Sequence, residues 1–176
     1  MLIARETFAQ IYPEAAPLLA RHWEEIALYK DIPLNVRVAQ YEAAEATGVL
    51  RCFGARIDGV LVGYAAFIVD YALHYGESLQ ARQDVLFLAP EYRGFGLGMQ
   101  LIQECDKALI AEGVQAVQQH SKIDSAIDIG SVLVRCGYEP GEIVYFKRLD
   151  RRHRAAPSAA LAEAQAAYVL REVMTA

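Results

Sequence analysis

Long hydrophobic runs are missing from this 176-residue chain. No uninterrupted apolar stretch approaches the ~20 residues that a membrane-spanning helix needs. The start carries Arg5 and Glu6 in place of a basic segment followed by a long apolar one, so no secretory signal is expected and a cytoplasmic location is. Cysteine is scarce. Cys52, Cys105 and Cys136 form an odd, widely spaced set with no CxxC, which predicts neither a disulfide framework nor a metal knuckle but small core-filling thiols kept reduced. Charged residues make up 22% against 55% hydrophobic, a balance that excludes a disordered chain. The length suits one domain of about 150 residues with a terminal appendage.

The net charge of −5 is unevenly distributed. Lys147, Arg148, Arg151, Arg152 and Arg154 fall together with only Asp150 opposing them, and setting these six aside leaves 12 basic against 21 acidic residues. An acidic body argues against general binding to a phosphate backbone, so nucleic acid is not an expected partner, nor is a membrane, although the basic stretch by itself could touch either. The basic stretch reads as a solvated junction, or as a surface that meets an acidic one in an oligomer.

Hydrophobic periodicity predicts a helix within 13–29, with Leu18, Leu19, Trp23, Ile26 and Ala27 on one face and its regular part beginning near Pro17. A second helix is expected over Val38–Ala46, stopped by Thr47-Gly48. Two strands, 49–57 and 60–74, flank Asp58-Gly59, a pair suited to a tight antiparallel hairpin. Gly63 marks a bulge or a close backbone approach. Residues 75–80 read as a connection and 84–89 as a third strand halted by Pro90. A helix over 96–112 with Gly113 as its cap, a strand at 114–119, a helix at 124–135 and a strand at 143–149 complete a mixed α/β sheet. Residues 151–157 read as a linker. Ser158 can cap a last helix reaching about Met174, with Ala162, Ala166, Val169 and Val173 on one face. That helix packs on the body or on a second subunit, so a homo-oligomer is expected.

Arg93-Gly94-Phe95-Gly96-Leu97-Gly98 carries the most information. It follows a strand and opens a long helix. Its glycines admit close approach to backbone N–H groups, and the helix start adds unpaired donors and a positive dipole end, which together suit a pyrophosphate; a glycine-rich turn that merely admits close packing is the other reading. The glycines run GxGxG, which fits neither the dinucleotide fingerprint GxGxxG nor a phosphate loop ending Gly-Lys-Ser/Thr.

Residues Pro90 to Gly98 resemble motif A of the GNAT acyltransferase superfamily, whose pattern Gln/Arg-x-x-Gly-x-Gly/Ala is met by Arg93, Gly96 and Gly98. The expected order of elements is similar too. Arg135-Cys136-Gly137-Tyr138-Glu139-Pro140 resembles the family's Lys-Leu-Gly-Phe-x-Pro segment. The likeness covers roughly 10–149. A narrower one, to small GNAT proteins of bacteriophages and prophages, rests on His22-Trp23-Glu24-Glu25-Ile26-Ala27, His74-Tyr75 and Ser121-Lys122 with Asp124.

The resemblance implies a GNAT-like, predominantly antiparallel mixed sheet flanked by helices over residues 1–149; the basic linker and C-terminal helical extension expected over 150–176 lie outside it. It implies acetyl-CoA or another acyl-CoA as co-substrate and an amine as acceptor. The binding residues would be Leu88, Ala89, Arg93, Gly94, Phe95, Gly96, Leu97 and Gly98. The loop N–H groups of about 95–98 would hold the pyrophosphate, and Leu88 and Ala89 the pantetheine arm. The motif strand would splay from strand 114–119, with the thioester in the gap.

Acyl transfer to an amine requires removal of a proton, stabilisation of the oxyanion and protonation of the leaving thiolate. Asp84, at the start of the motif strand, is a candidate base, with an ion pair or strand cap as its other reading. His120 is a second candidate, since histidine titrates near ~6.5. Glu24, Glu25 and Glu77 can line the acceptor side or simply meet solvent. Tyr64, Phe67, Tyr71, His74 and Tyr75 suit a pocket or the two faces of a strand. His74, Asp84, His120 and Asp124 lack metal spacing, so no metal is expected. Many relatives place a tyrosine where Leu133 stands, so the usual general acid is absent and Tyr138 or Tyr145 is its candidate substitute. The family's asparagine near the start of that helix is replaced by Ser125 and Asp128.

An N-acetyltransferase acting by direct attack is therefore expected. A catalytically weak CoA-binding or protein-interaction module, and a toxin-type enzyme acting on aminoacyl-tRNA, are the other readings.

Overall fold

The computed structural model describes residues 1–122 and 128–150. The expected linker, C-terminal helix and subunit contact, together with Ser125 and most of the expected start of the last catalytic helix, lie outside the described residues.

Five strands form one sheet in the order β1(Leu2–Glu6), β2(Leu50–Ile57), β3(Val60–Ala72), β4(Tyr75–Leu88) and β5(Ala116–Gln118). The first four pair antiparallel and β4–β5 is parallel. The sheet divides two cores. On one face α1(Phe8–Ile26) and α2(Val38–Ala46) cover Cys52, Tyr64, Ala66 and Phe87. On the other α3(Leu97–Ala111) buries Leu101, Cys105 and Leu109 against Phe53, Ala65, Phe67 and Ala81. A short helix, α4(Ile129–Arg135), completes the described elements.

Helix α2 and the β2–β3 hairpin match expectation. Asp58 and Gly59 adopt φ of 50° and 82°, the left-handed values a two-residue turn needs. Gly63 is a close approach: a Cβ there would sit 2.7 Å from the Phe87 carbonyl. Beside it Val62 is the extra residue of a bulge, since Ala55 pairs with Gly63 and Arg56 with Leu61.

Four expectations are corrected. Strand β1 precedes the first helix. Helix α1 begins at Phe8, five residues before Pro13, because Thr7 and Gln10 close a reciprocal capping box: Gln10 N–H donates to Thr7 Oγ1 at 3.2 Å and Thr7 N–H to Gln10 Oε1 at 2.8 Å. Its buried Phe8, Ile11 and Ala15 offset the cost of Pro13 and Pro17 inside it. Residues 75–80 belong to strand β4: Gln80 and Leu79 pair with Asp70 and Tyr71, and Tyr75 pairs with Ala72 beyond an irregularity in the register. Finally, 143–149 is not strand. Instead Arg148 reaches away to Asp31 at 3.2 Å and lies 4.8 Å over the Tyr29 ring, and Val144, Tyr145, Phe146 and Leu149 are exposed.

Candidate active site

The register of β4 creates the site. Ala66 pairs with Val85 but Phe67 with Gln83, so Asp84 is an extra residue bulged out of β4. A bulge bends its strand and re-aims a side chain. Parallel pairing with β5 stops at Arg82–Gln118, just before the bulge. Beyond it Ala89 N–H donates to the Val62 carbonyl at 2.9 Å. Hydrogen bonding alternates along an antiparallel ladder, so the backbone groups of Leu86 and Leu88 point to the other edge, toward the opened side. Of the two residues expected to meet a pantetheine arm, Ala89 has its N–H committed to β3, while Leu88 faces the gap. Leu86, missed from the sequence, faces it as well.

At the end of β4 a 3-10 turn, Pro90–Tyr92, leads into the glycine loop. Gly94, Phe95 and Gly96 take φ of 97°, 48° and 78° in succession. Phe95 is the costly one, a fully exposed aromatic residue held in left-handed backbone. Leu97 N–H returns to the Gly94 carbonyl and Gln100 N–H to Gly96. Among the described residues, the N–H groups of Gly94, Phe95, Gly96, Gly98 and Met99 find no backbone acceptor. Apart from its chain neighbours and its own helix backbone, no atom lies within 4 Å of the Cβ that Gly98 lacks. Clustered donors at a helix start with no side chain above them fit a diphosphate.

Arg93 points away from the loop. Its Nε donates to the Leu88 carbonyl at 2.7 Å, an Nη donates to Glu25 at 2.7 Å, and the guanidinium lies 5.4 Å over the Phe87 ring. Arg21 pairs with Glu91 through two bonds of 3.0 and 2.6 Å. Two oppositely ordered ion pairs thus join α1 to the loop. This neighbourhood holds His22, buried and read from sequence only as part of a motif. Its Nδ1 lies 3.0 Å from the Tyr64 hydroxyl and its ring packs 4.9 Å from Phe87. Burial pushes His22 down to about 4, so it is neutral near pH 7.

Asp84 is exposed, and its Oδ2 accepts a 2.5 Å bond from the Tyr41 hydroxyl on α2. Burial, then the bond to Asp84, raises the Tyr41 phenol above its ordinary range, so Tyr41 keeps its proton.

A sequence model described as the acetyltransferase (GNAT) family matches residues 8–130. The chain belongs to the GNAT acetyltransferase family. Solved structures agree on the GNAT fold. The ribosomal-protein-alanine N-acetyltransferase of Brucella melitensis biovar Abortus 2308 is 19% identical, with TM-score 0.64, covering 85% of this chain and all of that one. An aminoglycoside acetyltransferase from an uncultured soil metagenomic sample is 16% identical, with TM-score 0.65, covering 85% of this chain and 96% of that one. A predicted acetyltransferase of Clostridium acetobutylicum, solved with acetyl-CoA, is 12% identical, with TM-score 0.63, covering 86% of this chain and 99% of that one. No curated protein sequence matches the chain. Among the described residues no helix is long and apolar enough to cross a membrane.

The remaining candidates of this GNAT protein fall in different places. His120 follows β5 and is exposed. Its backbone N–H donates to Gln83 Oε1 at 3.0 Å, a side-chain strut across the opened strands, and its ring has no hydrogen-bond partner among the described residues. Tyr138 donates to Asp106 Oδ1 on α3 at 2.6 Å and accepts from Gln119 Nε2 at 3.2 Å. Burial and the Asp106 bond raise its phenol above the usual range. Leu133, where many GNAT relatives carry tyrosine, is buried. Asp128 caps α4, accepting from the Ser131 N–H at 3.0 Å. Glu25 and Glu24 are paired, with Arg93 and Lys30. The aromatic candidates separate: Tyr64 lies in the α1 core, Phe67 beneath α3, and Tyr71, His74 and Tyr75 near the β3–β4 tip.

Proposed function

We propose that this GNAT protein transfers an acetyl group from acetyl-CoA to a primary amine in a ternary complex. The observation that supports the reading is a juxtaposition on one strand. The bulge at Asp84 exposes a carboxylate on the α1/α2 side and opens the β4 edge just before the donor-rich loop. In this reading the N–H groups of residues 94–96 and 98 hold the pyrophosphate. The edge groups of Leu86 and the N–H of Leu88 receive the pantetheine amides. Arg93 occupies the Leu88 carbonyl on that edge and ties it to α1 through Glu25, and Leu97 anchors the loop's return to Gly94. Ala89 contributes through its bond to Val62.

Acetyl-CoA supplies the acyl thioester: a C–N bond forms at its carbonyl carbon, the C–S bond breaks, and CoA departs as the thiol. Asp84 accepts the proton that the ammonium group must lose before its nitrogen can attack. It does so through Oδ1, which has no hydrogen-bond partner among the described residues. His120 stands second as base, because nothing among the described residues orients its ring. Tyr138 is committed to Asp106 and acts here as a brace, with solvent returning a proton to the thiolate.

Incubation with acetyl-CoA and a set of amines tests the reading, with the acetylated amine identified by mass and free thiol measured alongside. An alanine-initiated peptide and sisomicin are first choices, after the groups named for two structural neighbours. Amine-dependent thiol release that falls about 100-fold or more in Asp84→Asn, the scale of a general base, supports it. Tight binding of acetyl-CoA with no transfer to any amine favours the CoA-binding module.

A further inference from the structure

We propose that Tyr41 is a positioning residue for the acceptor reaction, holding the Asp84 carboxylate by Oδ2 so that Oδ1 is presented to the amine. The proposal rests on the acyl-transfer reading and deepens it.

Three independent observations meet at this pair. Asp84 is the extra residue of the β4 bulge, and bulged residues are a way in which strands re-aim a side chain. A bulge alone leaves a short exposed carboxylate free to rotate about χ1 and χ2. The Tyr41 hydroxyl removes that freedom with a 2.5 Å bond to one oxygen. Tyr41 is itself fixed, its ring stacked on Phe8 at 4.9 Å with 6° between the planes. Phe8 is buried at the start of α1, where its N–H donates to Glu45 of α2 at 2.8 Å. The hydroxyl is therefore delivered by a rigid two-helix support to a strand 43 residues away in sequence. A surface brace between α2 and β4 would need neither the bulge nor the open second oxygen. A phenol that stays protonated donates to the carboxylate and does not compete with it for the amine's proton.

The test is a double-mutant cycle in kcat with Tyr41→Phe and Asp84→Asn, using acetyl-CoA and whichever of the alanine-initiated peptide, sisomicin and spermidine the wild type acetylates. Tyr41→Phe keeps the ring on Phe8, and acetyl-CoA affinity measured on the same samples reports the fold. The expected result is a kcat loss of about tenfold in Tyr41→Phe, the scale of one bond to a charged group. KM for acetyl-CoA stays within about twofold, since Tyr41 touches only the acceptor side in this reading. In the Asp84→Asn background the same change moves kcat by less than about twofold. Wild-type kcat in Tyr41→Phe overturns the proposal and leaves Asp84 as base. So do losses that multiply in the double variant. Wild-type kcat in Asp84→Asn overturns the base reading and the proposal together, as does the absence of transfer to every probe amine by the wild type.

Discussion

Arg93 donates from Nε to the backbone carbonyl of Leu88 at 2.7 Å and closes the turn between β4 and α3. The residue that opens the Arg-x-x-Gly-x-Gly signature therefore acts on the protein's own backbone. It occupies an acceptor on the β4 edge and, through Glu25, ties that edge to α1. In the acyl-CoA reading, backbone N–H groups are left to meet the ligand.

The clasp predicts that charge alone at position 93 is insufficient. Lysine cannot supply two divergent N–H donors in a fixed plane. Arg93→Lys should weaken acetyl-CoA about tenfold, the scale of one lost bond to a charged group, and about as much as Arg93→Met. Calorimetry on both variants checks this, and wild-type affinity in Arg93→Lys would contradict it.

Gly98 separates the needs of the fold from those of the ligand. Its φ is ordinary and nothing approaches its missing Cβ, so the chain has no need of glycine there. Gly98→Ala should stabilise the protein by about 0.5–1 kcal/mol, since alanine is the better helix former. It should nevertheless weaken acetyl-CoA by at least about tenfold, on the scale of a lost hydrogen bond at a crowded backbone. Denaturant unfolding and calorimetry on the same sample check the two signs.

His22 makes the fold sensitive to acid. Its folded value near 4 lies below the ~6.5 of an unfolded histidine, so between those values the unfolded chain binds more protons. Stability from this group is complete above about pH 6.5 and is lost as pH falls toward 4, by on the order of 3 kcal/mol. His22→Gln removes the titrating ring. Unfolding free energies at pH 7 and pH 4.5 should differ less in the variant than in the wild type.

Tyr138→Phe deletes one bond to the Asp106 carboxylate and one from Gln119. A brace predicts a stability loss of about 1.5–3 kcal/mol, the range for a hydrogen bond to a charged group. It also predicts kcat within about threefold, well short of the loss expected from a missing acid. Unfolding and steady-state kinetics together decide. A collapse of kcat at unchanged stability would make Tyr138 the acid.

The glycine loop, helix α2 and the Asp58-Gly59 hairpin are legible in the sequence because each is specified by neighbouring residues. Strand β1 is not, since its short run offers no clean alternation and forms by pairing with β2. The first half of β4 is similar: Gly76, Glu77 and Ser78 have little strand propensity, and the pairing that fixes this stretch is made on either side of them, by Tyr75 with Ala72 and Leu79 with Tyr71. The capping box Thr7-x-x-Gln10 was a visible signal for the true start of α1. At the site, Asp84 is identifiable through the resemblance to the family, whose members often carry an acidic residue at the start of the motif strand. Its bulge is not, because a bulge belongs to two strands in register. Tyr41 and His22 become visible only when α2 and α1 cross the sheet. The exposed course of 143–149 is likewise set by where Arg148 finds its partners.

The most direct test is a calorimetric titration of acetyl-CoA into the purified chain, freed of copurified CoA, with Gly96→Glu alongside. That variant places a carboxylate on a residue at φ 78°, among the free N–H groups. Saturable one-site binding by the wild type, abolished in a Gly96→Glu protein that still unfolds cooperatively, is the predicted result. A folded wild type that gives no binding heat at any temperature tried, or a Gly96→Glu that binds as well as wild type, would contradict the assignment of the loop and β4 edge to an acyl-CoA.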